Sequence, residues 1–345
     1  MHEDDDTGAA PAPLLGRRRT PWLIGLLAGV SALAALVLFI THAGDITTFA
    51  RQAANAKAGP LFAALGAQAA PYLIASYVWF HFLRRIDAPL PFASLVPLSF
   101  AKLFADQAIP SGGLSGAAFF LFALTRRGVP DKAAFRTFVF TTSAYFLAFL
   151  CAAIVSLIAL SLAENAPPTL SASVSAFAGL FVFLTMLAGL AILYKAPMPA
   201  FLAKRRITEK ALEFLSAALN DIRQMPRLFA KLAVVLLLSR VVDGLTLMLI
   251  SEAIGAPVTV FTGFIAVAIA SIAATIGPVP MGLGTFEAGM VASLTVFGAS
   301  VEDALTITLI YRGLTLWLPL LPGFAILQRE FLRAPASLKT DPDQP

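Results

Sequence analysis

Long apolar stretches that are almost free of charge dominate this chain. No Asp, Glu, Lys or Arg lies between Trp22 and Gly44, and Glu164 is the only one between Thr137 and Tyr194. Charged residues make up 13% of the 345 residues, about half the share found in soluble domains. This composition excludes a water-soluble domain, a nucleic-acid-binding protein and a disulfide-stapled secreted fold. It predicts a polytopic integral membrane protein.

Six stretches are long enough for a helix to cross the hydrocarbon core, which takes about 20 apolar residues. They are Trp22–Ile40, Leu61–Leu83, Phe138–Leu162, Val174–Tyr194, Leu232–Ile250 and Ala304–Leu327. Two further apolar regions, residues 92–124 and 258–297, are interrupted by proline and glycine, which end helices. The interruptions include Pro110, Gly112 and Gly113 in the first region and Pro280, Gly282 and Gly284 in the second. Because the arm after each break is too short to cross, we predict two re-entrant helical hairpins, with kinked spans as the alternative.

The loop charges predict how this domain is oriented. When Arg17, Arg18 and Arg19 are placed in the cytoplasm, six spans and two hairpins put nearly every other loop Lys and Arg there as well. The predicted fold is an all-α membrane domain over residues 21–330, in the cytoplasmic membrane, with both termini cytoplasmic. Residues 1–20 are predicted to be a disordered tail and residues 331–345 a second tail. Residues 200–227 are predicted to form an amphipathic segment that lies on anionic lipids of the inner leaflet.

With this topology the two hairpins enter the membrane from opposite sides. The first, over residues 92–124, starts from the cytoplasm, and the second, over residues 258–297, starts from the outside. Two interrupted segments of opposite orientation are typical of inverted repeats, whose substrate site lies near the midplane where the broken helices meet. Helices that begin near Ser115 and Thr285 would direct unpaired backbone N–H groups into this site, where they could bind an anion such as phosphate.

Ionisable side chains at membrane depth are costly, so they are the candidate substrate-binding residues. Six occur in this chain: Lys102, Asp106, Arg240, Asp243, Glu287 and Arg312. Lys102 and Asp106 are four residues apart, and Arg240 and Asp243 are three apart, so each pair can meet on one helix face. Charge pairs that only fix helix packing are the alternative. Arg312 has no acid close to it in the sequence, which leaves Asp243, Glu287 or a ligand anion as its partner.

Three motifs resemble those of a known family. They are Ile-Pro-Ser-Gly-Gly-Leu-Ser-Gly at 109–116, Pro-Met-Gly-Leu-Gly-Thr-Phe-Glu-Ala at 280–288 and Tyr-Arg-Gly-Leu-Thr-Leu-Trp-Leu-Pro at 311–319. They are similar to the membrane region of the lysylphosphatidylglycerol synthase, or flippase-like, family, and the resemblance covers roughly residues 20–330. It implies a role in binding an amphiphilic lipid or moving it across the bilayer. The family often has an acidic residue shortly after the Gly pair of the first motif, where this chain has Ser115, Gly116 and Ala117.

These observations favour a carrier that moves a phospholipid or glycolipid through a polar cavity at the midplane. A secondary transporter of a small anionic solute and a non-transporting partner of a lipid-modifying enzyme are the alternatives. The aminoacyl-transferring members of the family carry a large soluble catalytic domain, and only about 17 residues follow the last span here, so we expect no synthase activity. No nucleophile–base pair, metal-ligand spacing or nucleotide loop occurs, so we expect no enzyme activity, metal ion or cofactor. A lipid-synthesis enzyme and a second copy of the chain are the expected protein partners.

Overall fold

A computed structural model describes residues 55–108, 114–163, 219–276 and 280–332, together with isolated positions between 172 and 217. Within these residues every regular element is helical. Several predictions lie outside the described residues. They are the tail at 1–20, the span Trp22–Ile40, most of the span Val174–Tyr194, most of the segment 200–227, residues 333–345, and Pro110, Gly112 and Gly113.

We number, in chain order, the ten α-helices that have both ends within the described residues. They are α1 (Ala58–Ala67), α2 (Ala70–Arg85), α3 (Phe92–Ala108), α4 (Leu114–Thr125), α5 (Asp131–Ser161), α6 (Pro226–Ile254), α7 (Val260–Ile276), α8 (Thr285–Val296), α9 (Val301–Arg312) and α10 (Leu318–Leu332). A 3-10 turn, Pro280–Gly282, precedes α8, and a π-helical turn, Gly313–Trp317, joins α9 to α10.

Four helical stretches of the described residues are long and apolar enough to cross a membrane. They are Ala58–Arg85, Asp131–Ser161, Pro226–Ile254 and Val301–Leu332. Three of them contain a predicted span entirely, and Asp131–Ser161 covers all of Phe138–Leu162 except Leu162, which caps the helix. Each also begins before the apolar run on which the prediction was based. The 31 residues of α5 measure about 47 Å at the helical rise, whereas the hydrocarbon core is about 30 Å thick. The helix ends therefore continue into the polar interface.

Two of these stretches are not the continuous α-helices that the sequence predicts. A turn at Gln68 and Ala69 separates α1 from α2, and Pro71 in the first turn of α2 has no N–H with which to continue the helix across it. The last stretch contains the π-helical turn directly after Arg312. Pro319 follows this turn and cannot donate the next regular hydrogen bond, which accounts for the local widening.

Each interrupted region forms two helices that pack against each other. Helix α3 contacts α4, and α7 contacts α8. The hydroxyl of Ser115 donates to the carbonyl oxygen of Ala105 at 2.6 Å, so the start of α4 lies against the end of α3. The arms α4 and α8 each have 12 residues, about 18 Å of helix, which is too short to cross the membrane alone.

Two apolar cores account for much of the packing around the interrupted regions. One joins α1 to α6, α7, α8 and α9 through buried residues that include Ala64, Leu247, Ala270, Met290 and Ile307. The other joins α2, α3 and α4 to the start of α5, and residues of α10 pack against it. The stretches Ala58–Arg85 and Val301–Leu332 therefore each begin in the first core and end in the second. Their interruptions lie where the chain passes between the two cores.

Candidate functional site

The six charged residues predicted at membrane depth form three ion pairs. Lys102 Nζ lies 2.7 Å from Asp106 Oδ2, and Arg240 Nη1 lies 3.2 Å from Asp243 Oδ2, as their helical spacing predicts. The Nε atom of Arg312 lies 2.6 Å from Oε1 of Glu287, 25 residues away in the sequence. Of the partners considered for Arg312, the structure pairs it with Glu287. Substrate binding by these residues stays a prediction.

The guanidinium group of Arg312 holds the turn that precedes α8. Its Nη2 donates to the carbonyl oxygen of Met281 at 2.9 Å, and its Cζ lies 4.7 Å from the centre of the Phe286 ring. Charge-assisted hydrogen bonds and a cation–π contact therefore act on the same side chain. Broken helices leave backbone groups that must find partners inside an apolar protein, and Arg312 satisfies one of them.

Glu287 links Arg312 to the first turn of α8. Its second carboxylate oxygen accepts a hydrogen bond from the backbone N–H of Gly284 at 2.7 Å. This is the side-chain half of a capping box, in which the third residue of a helix binds the N–H just before it. One backbone donor beside Thr285 that we expected to face an anion is therefore bound by a carboxylate of the protein itself.

The turn between α7 and α8 requires glycine at two of the predicted positions. Gly282 has a φ of 63° and Gly284 a φ of 83°, values that L-residues with a side chain rarely adopt. A Cβ on Gly282 would also lie 2.6 Å from the Cβ of Ala274. The positive φ angles of these two glycines shape the backbone directly before α8, where the Gly284 N–H meets the Glu287 carboxylate.

Asp243 is the centre of a second polar cluster, to which two other elements contribute side chains. Its carboxylate has the side chains of Gln68 and Tyr311 as hydrogen-bonding partners, besides the ion pair with Arg240. The Gln68 amide also donates to the Thr246 hydroxyl at 2.8 Å. Asp243 is therefore a buried carboxylate with polar partners where α6 meets α9 and the turn between α1 and α2.

The sequence analysis missed Gln68 and Tyr311 because it considered only charged side chains. Gln68 is a lone amide in the apolar run 61–83, followed three residues later by Pro71, and these two features together signal an interrupted span. Tyr311 is next to Arg312 in the chain, and its ring stacks on Phe286, with 6.2 Å between the ring centres. The Asp243 cluster and the Arg312–Glu287 pair are therefore adjacent on α9.

Each of the two arginine pairs combines a more buried member with a more accessible one. The side chains of Arg312 and Asp243 are 8% and 7% exposed, whereas those of their partners Glu287 and Arg240 are 21% and 20% exposed. Arg240 also lies over the ring of Tyr145 on α5, with 5.7 Å from Cζ to the ring centre. Each pair can thus be reached from outside the packed helices through one partner.

The Lys102–Asp106 pair lies at the first interrupted region, on α3. Gly116, in the first turn of α4, is so close to the Asp106 carboxylate that any side-chain atom there would overlap it. The Asp106 carboxylate on α3 therefore fills the space beside the start of α4. The turn Pro280–Gly282 contacts α3, which carries Lys102 and Asp106. The two interrupted regions therefore contact each other.

The fold and the site define a class of protein: a polytopic helical membrane protein with partly buried ion pairs at or beside the breaks of its helices. Among the described residues, no three His, Cys, Asp or Glu side chains are placed to bind a metal ion. The sequence model of one protein family, described as the lysylphosphatidylglycerol synthase TM region, matches residues 22–323, which include all three motifs. The chain belongs to this family. A search of curated proteins finds no match to the chain.

Proposed function

We propose that this protein binds an amphiphilic lipid and moves it across the cytoplasmic membrane. The head group passes the Arg312–Glu287 pair and the Asp243 cluster, while the acyl chains stay in the bilayer. The observation that carries the proposal is the Arg312–Glu287 pair itself, which lies at a helix break and has one accessible partner. Membership of a family defined by a phospholipid-related membrane region supports a lipid as the substrate.

The proposed layout has two re-entrant hairpins, over residues 92–124 and 258–297, related as inverted repeats, with both termini in the cytoplasm. The 12-residue arms α4 and α8 support it because neither is long enough to cross. The contact between the turn Pro280–Gly282 and α3 supports it too, because inverted hairpins meet at the substrate site.

The proposed mechanism is an exchange of ionic partners. A head group that arrives beside Glu287 or Arg240 takes the place of one partner in an existing ion pair. The original ion pair forms again when the head group leaves. Paired charges in an apolar interior are costly to separate, so the exchange is favourable only when the head group also compensates the charge that it displaces. The proposal gives no residue a catalytic role, and movement is downhill or coupled to an ion.

A small anionic solute could use the same charges, but the surroundings of Arg240 favour a lipid. Tyr145, over whose ring Arg240 lies, is exposed, and so are its neighbour Phe146 on α5 and Val241 on α6. In a membrane protein such faces contact acyl chains, so a ligand held by Arg240 can keep its apolar part in the bilayer.

The test is transbilayer exchange in vesicles that contain the purified protein. Acyl-labelled fluorescent phospholipids report their leaflet through a membrane-impermeant quencher. We expect the protein to accelerate exchange and Arg312→Ala to abolish it. Arg329→Ala, the same substitution at an exposed position near the end of α10, serves as the control and should keep full activity. Gel filtration and a melting curve establish that each variant is folded.

Arg312→Lys covers the case in which the alanine variant does not fold. Lysine keeps the charge but cannot donate to Glu287 and to the carbonyl of Met281 in the fixed geometry of a guanidinium group. We expect it to insert and to exchange lipid at least about tenfold more slowly, a barrier increase of about 1.4 kcal/mol. Full activity of the folded Arg312 variants, or no acceleration for any lipid, would contradict the proposal. Uptake of labelled inorganic phosphate without lipid exchange would favour the solute transporter instead.

A further inference from the structure

The charges at membrane depth sum to zero. The predicted spans and interrupted regions contain three cations, Lys102, Arg240 and Arg312, and three acids, Asp106, Asp243 and Glu287, and no other Asp, Glu, Lys or Arg. This count comes from the whole sequence, so it includes the spans that the structure does not describe. The polar groups available to a head group are therefore balanced before any ligand arrives.

The balance holds locally as well as in total. Each cation has one of the three acids within 3.2 Å, and each acid belongs to one pair. A ligand with a net charge would leave that charge without a counterpart in surroundings of low dielectric constant, where an unpaired charge is very costly. A ligand whose own charges cancel would add no such cost.

We infer that the preferred head group is zwitterionic, with one anionic and one cationic group. This inference rests on the proposed function and adds the substrate class to it. A phosphate can accept from Arg312 while an ammonium group faces Glu287, so the opened ion pair is replaced by two new ones. An anion alone would compensate the arginine and leave the carboxylate unpaired.

The experiment compares two acyl-labelled lipids in the same vesicles: phosphatidylcholine, which is zwitterionic, and phosphatidylglycerol, which carries one negative charge. We expect the wild-type protein to exchange phosphatidylcholine at least about tenfold faster, equivalent to about 1.4 kcal/mol. Equal rates, or faster exchange of phosphatidylglycerol, would overturn the inference and leave the proposed lipid transport standing. No exchange of phosphatidylcholine would also overturn the inference, and the proposed function would fall only if no other lipid were exchanged either.

Glu287→Gln tests the charge balance directly. Glutamine keeps a carbonyl oxygen that can accept from the Gly284 N–H, but it removes the negative charge opposite Arg312. The site then carries one net positive charge, so the preference should shift by at least about tenfold toward phosphatidylglycerol. An unchanged preference in the folded variant would refute the inference.

The matched control is Glu302→Gln, the same substitution at an exposed position in the first turn of α9. It changes the protein's total charge equally but leaves the three pairs intact, so the lipid preference should stay as in the wild type. A shift in this control as large as that of Glu287→Gln would mean that overall charge, not the site, sets the preference. Asp106→Asn, which removes a carboxylate from the Lys102 pair, replaces Glu287→Gln if that variant does not fold.

Discussion

Gly244→Ala tests the close contact that places Asp243. Gly244 follows Asp243 on α6, at the point where α6 crosses α7. A Cβ on Gly244 would lie 2.5 Å from the carbonyl oxygen of Val260 and 2.7 Å from the backbone N of Phe264. In the opposite direction, a Cβ on Gly263 would lie 2.6 Å from the carbonyl oxygen of Gly244. These are backbone atoms, so no side-chain rotation can relieve the overlap.

The expected cost follows from that geometry. Ordinary van der Waals contact begins at 3.4 Å, so α6 and α7 must separate by about 1 Å to admit the methyl group. Overpacking of this kind destabilises a folded protein by about 1–3 kcal/mol. The same displacement alters the position of the Asp243 carboxylate relative to Gln68 and Tyr311, which belong to the turn before α2 and to α9. We therefore expect slower lipid exchange as well as lower stability.

The assay compares melting temperatures in detergent and exchange rates in vesicles. Gly66→Ala in α1 is the matched control, because a Cβ at that helical position has nothing within 4 Å. We expect it to be neutral or to stabilise the protein by up to about 1 kcal/mol, since alanine favours helix more than glycine does. If Gly244→Ala melted at the same temperature as Gly66→Ala or above it, the two helices would not be in backbone contact and our account of the Asp243 position would be wrong.

Two further predictions concern residues outside the six charged residues predicted at membrane depth: Tyr311, which faces Asp243, and Arg127, which pairs with Glu330. Tyr311→Phe removes the hydroxyl that faces the Asp243 carboxylate but keeps the aromatic ring. We expect a stability loss of about 1–3 kcal/mol and slower lipid exchange. A melting temperature equal to that of the wild type would show that the hydroxyl makes no stabilising contact. Arg127→Ala leaves the Glu330 carboxylate, 5% exposed, without either of its two guanidinium contacts at 2.7 and 2.8 Å, at a cost of about 3–5 kcal/mol. Arg126→Ala should cost less, because Arg126 donates to backbone oxygens of α10 and lies over the Phe122 ring but forms no ion pair with Glu330 among the contacts that the structure describes. Equal losses in the two variants would contradict this explanation.

The parts of the fold that depend on local sequence could be predicted. Apolar runs located the four spans that the structure describes, and proline and glycine located the breaks after Ala108 and before Thr285. The pairs Lys102–Asp106 and Arg240–Asp243 followed from helical periodicity alone. These features depend on residues within one helical turn or on hydropathy, so tertiary packing does not alter them.

The rest depends on contacts between distant segments. Glu287 and Arg312 are 25 residues apart, and only the packing of α8 against α9 brings them within 2.6 Å. Hydropathy treats the run 61–83 as one continuous span, whereas the turn at Gln68 allows its amide to reach Asp243 and Thr246 on α6. The capping of α8 by Glu287 also depended on the conformation of Gly284, which the sequence alone did not specify.

The charged groups of the site hold the fold together as well as offering contacts to a ligand, and this dual role determines which experiments are informative. Arg312 satisfies the carbonyl of Met281, and Glu287 satisfies the N–H of Gly284, so removing either side chain also releases a backbone group of the broken helix. Lost transport in Arg312→Ala is therefore expected both from a binding residue and from a pair that only fixes the turn. Lipid selectivity separates the two roles, because a purely structural pair can change how much protein is active but not which lipid it prefers. A folded Glu287→Gln variant with altered preference would place the pair in contact with the head group.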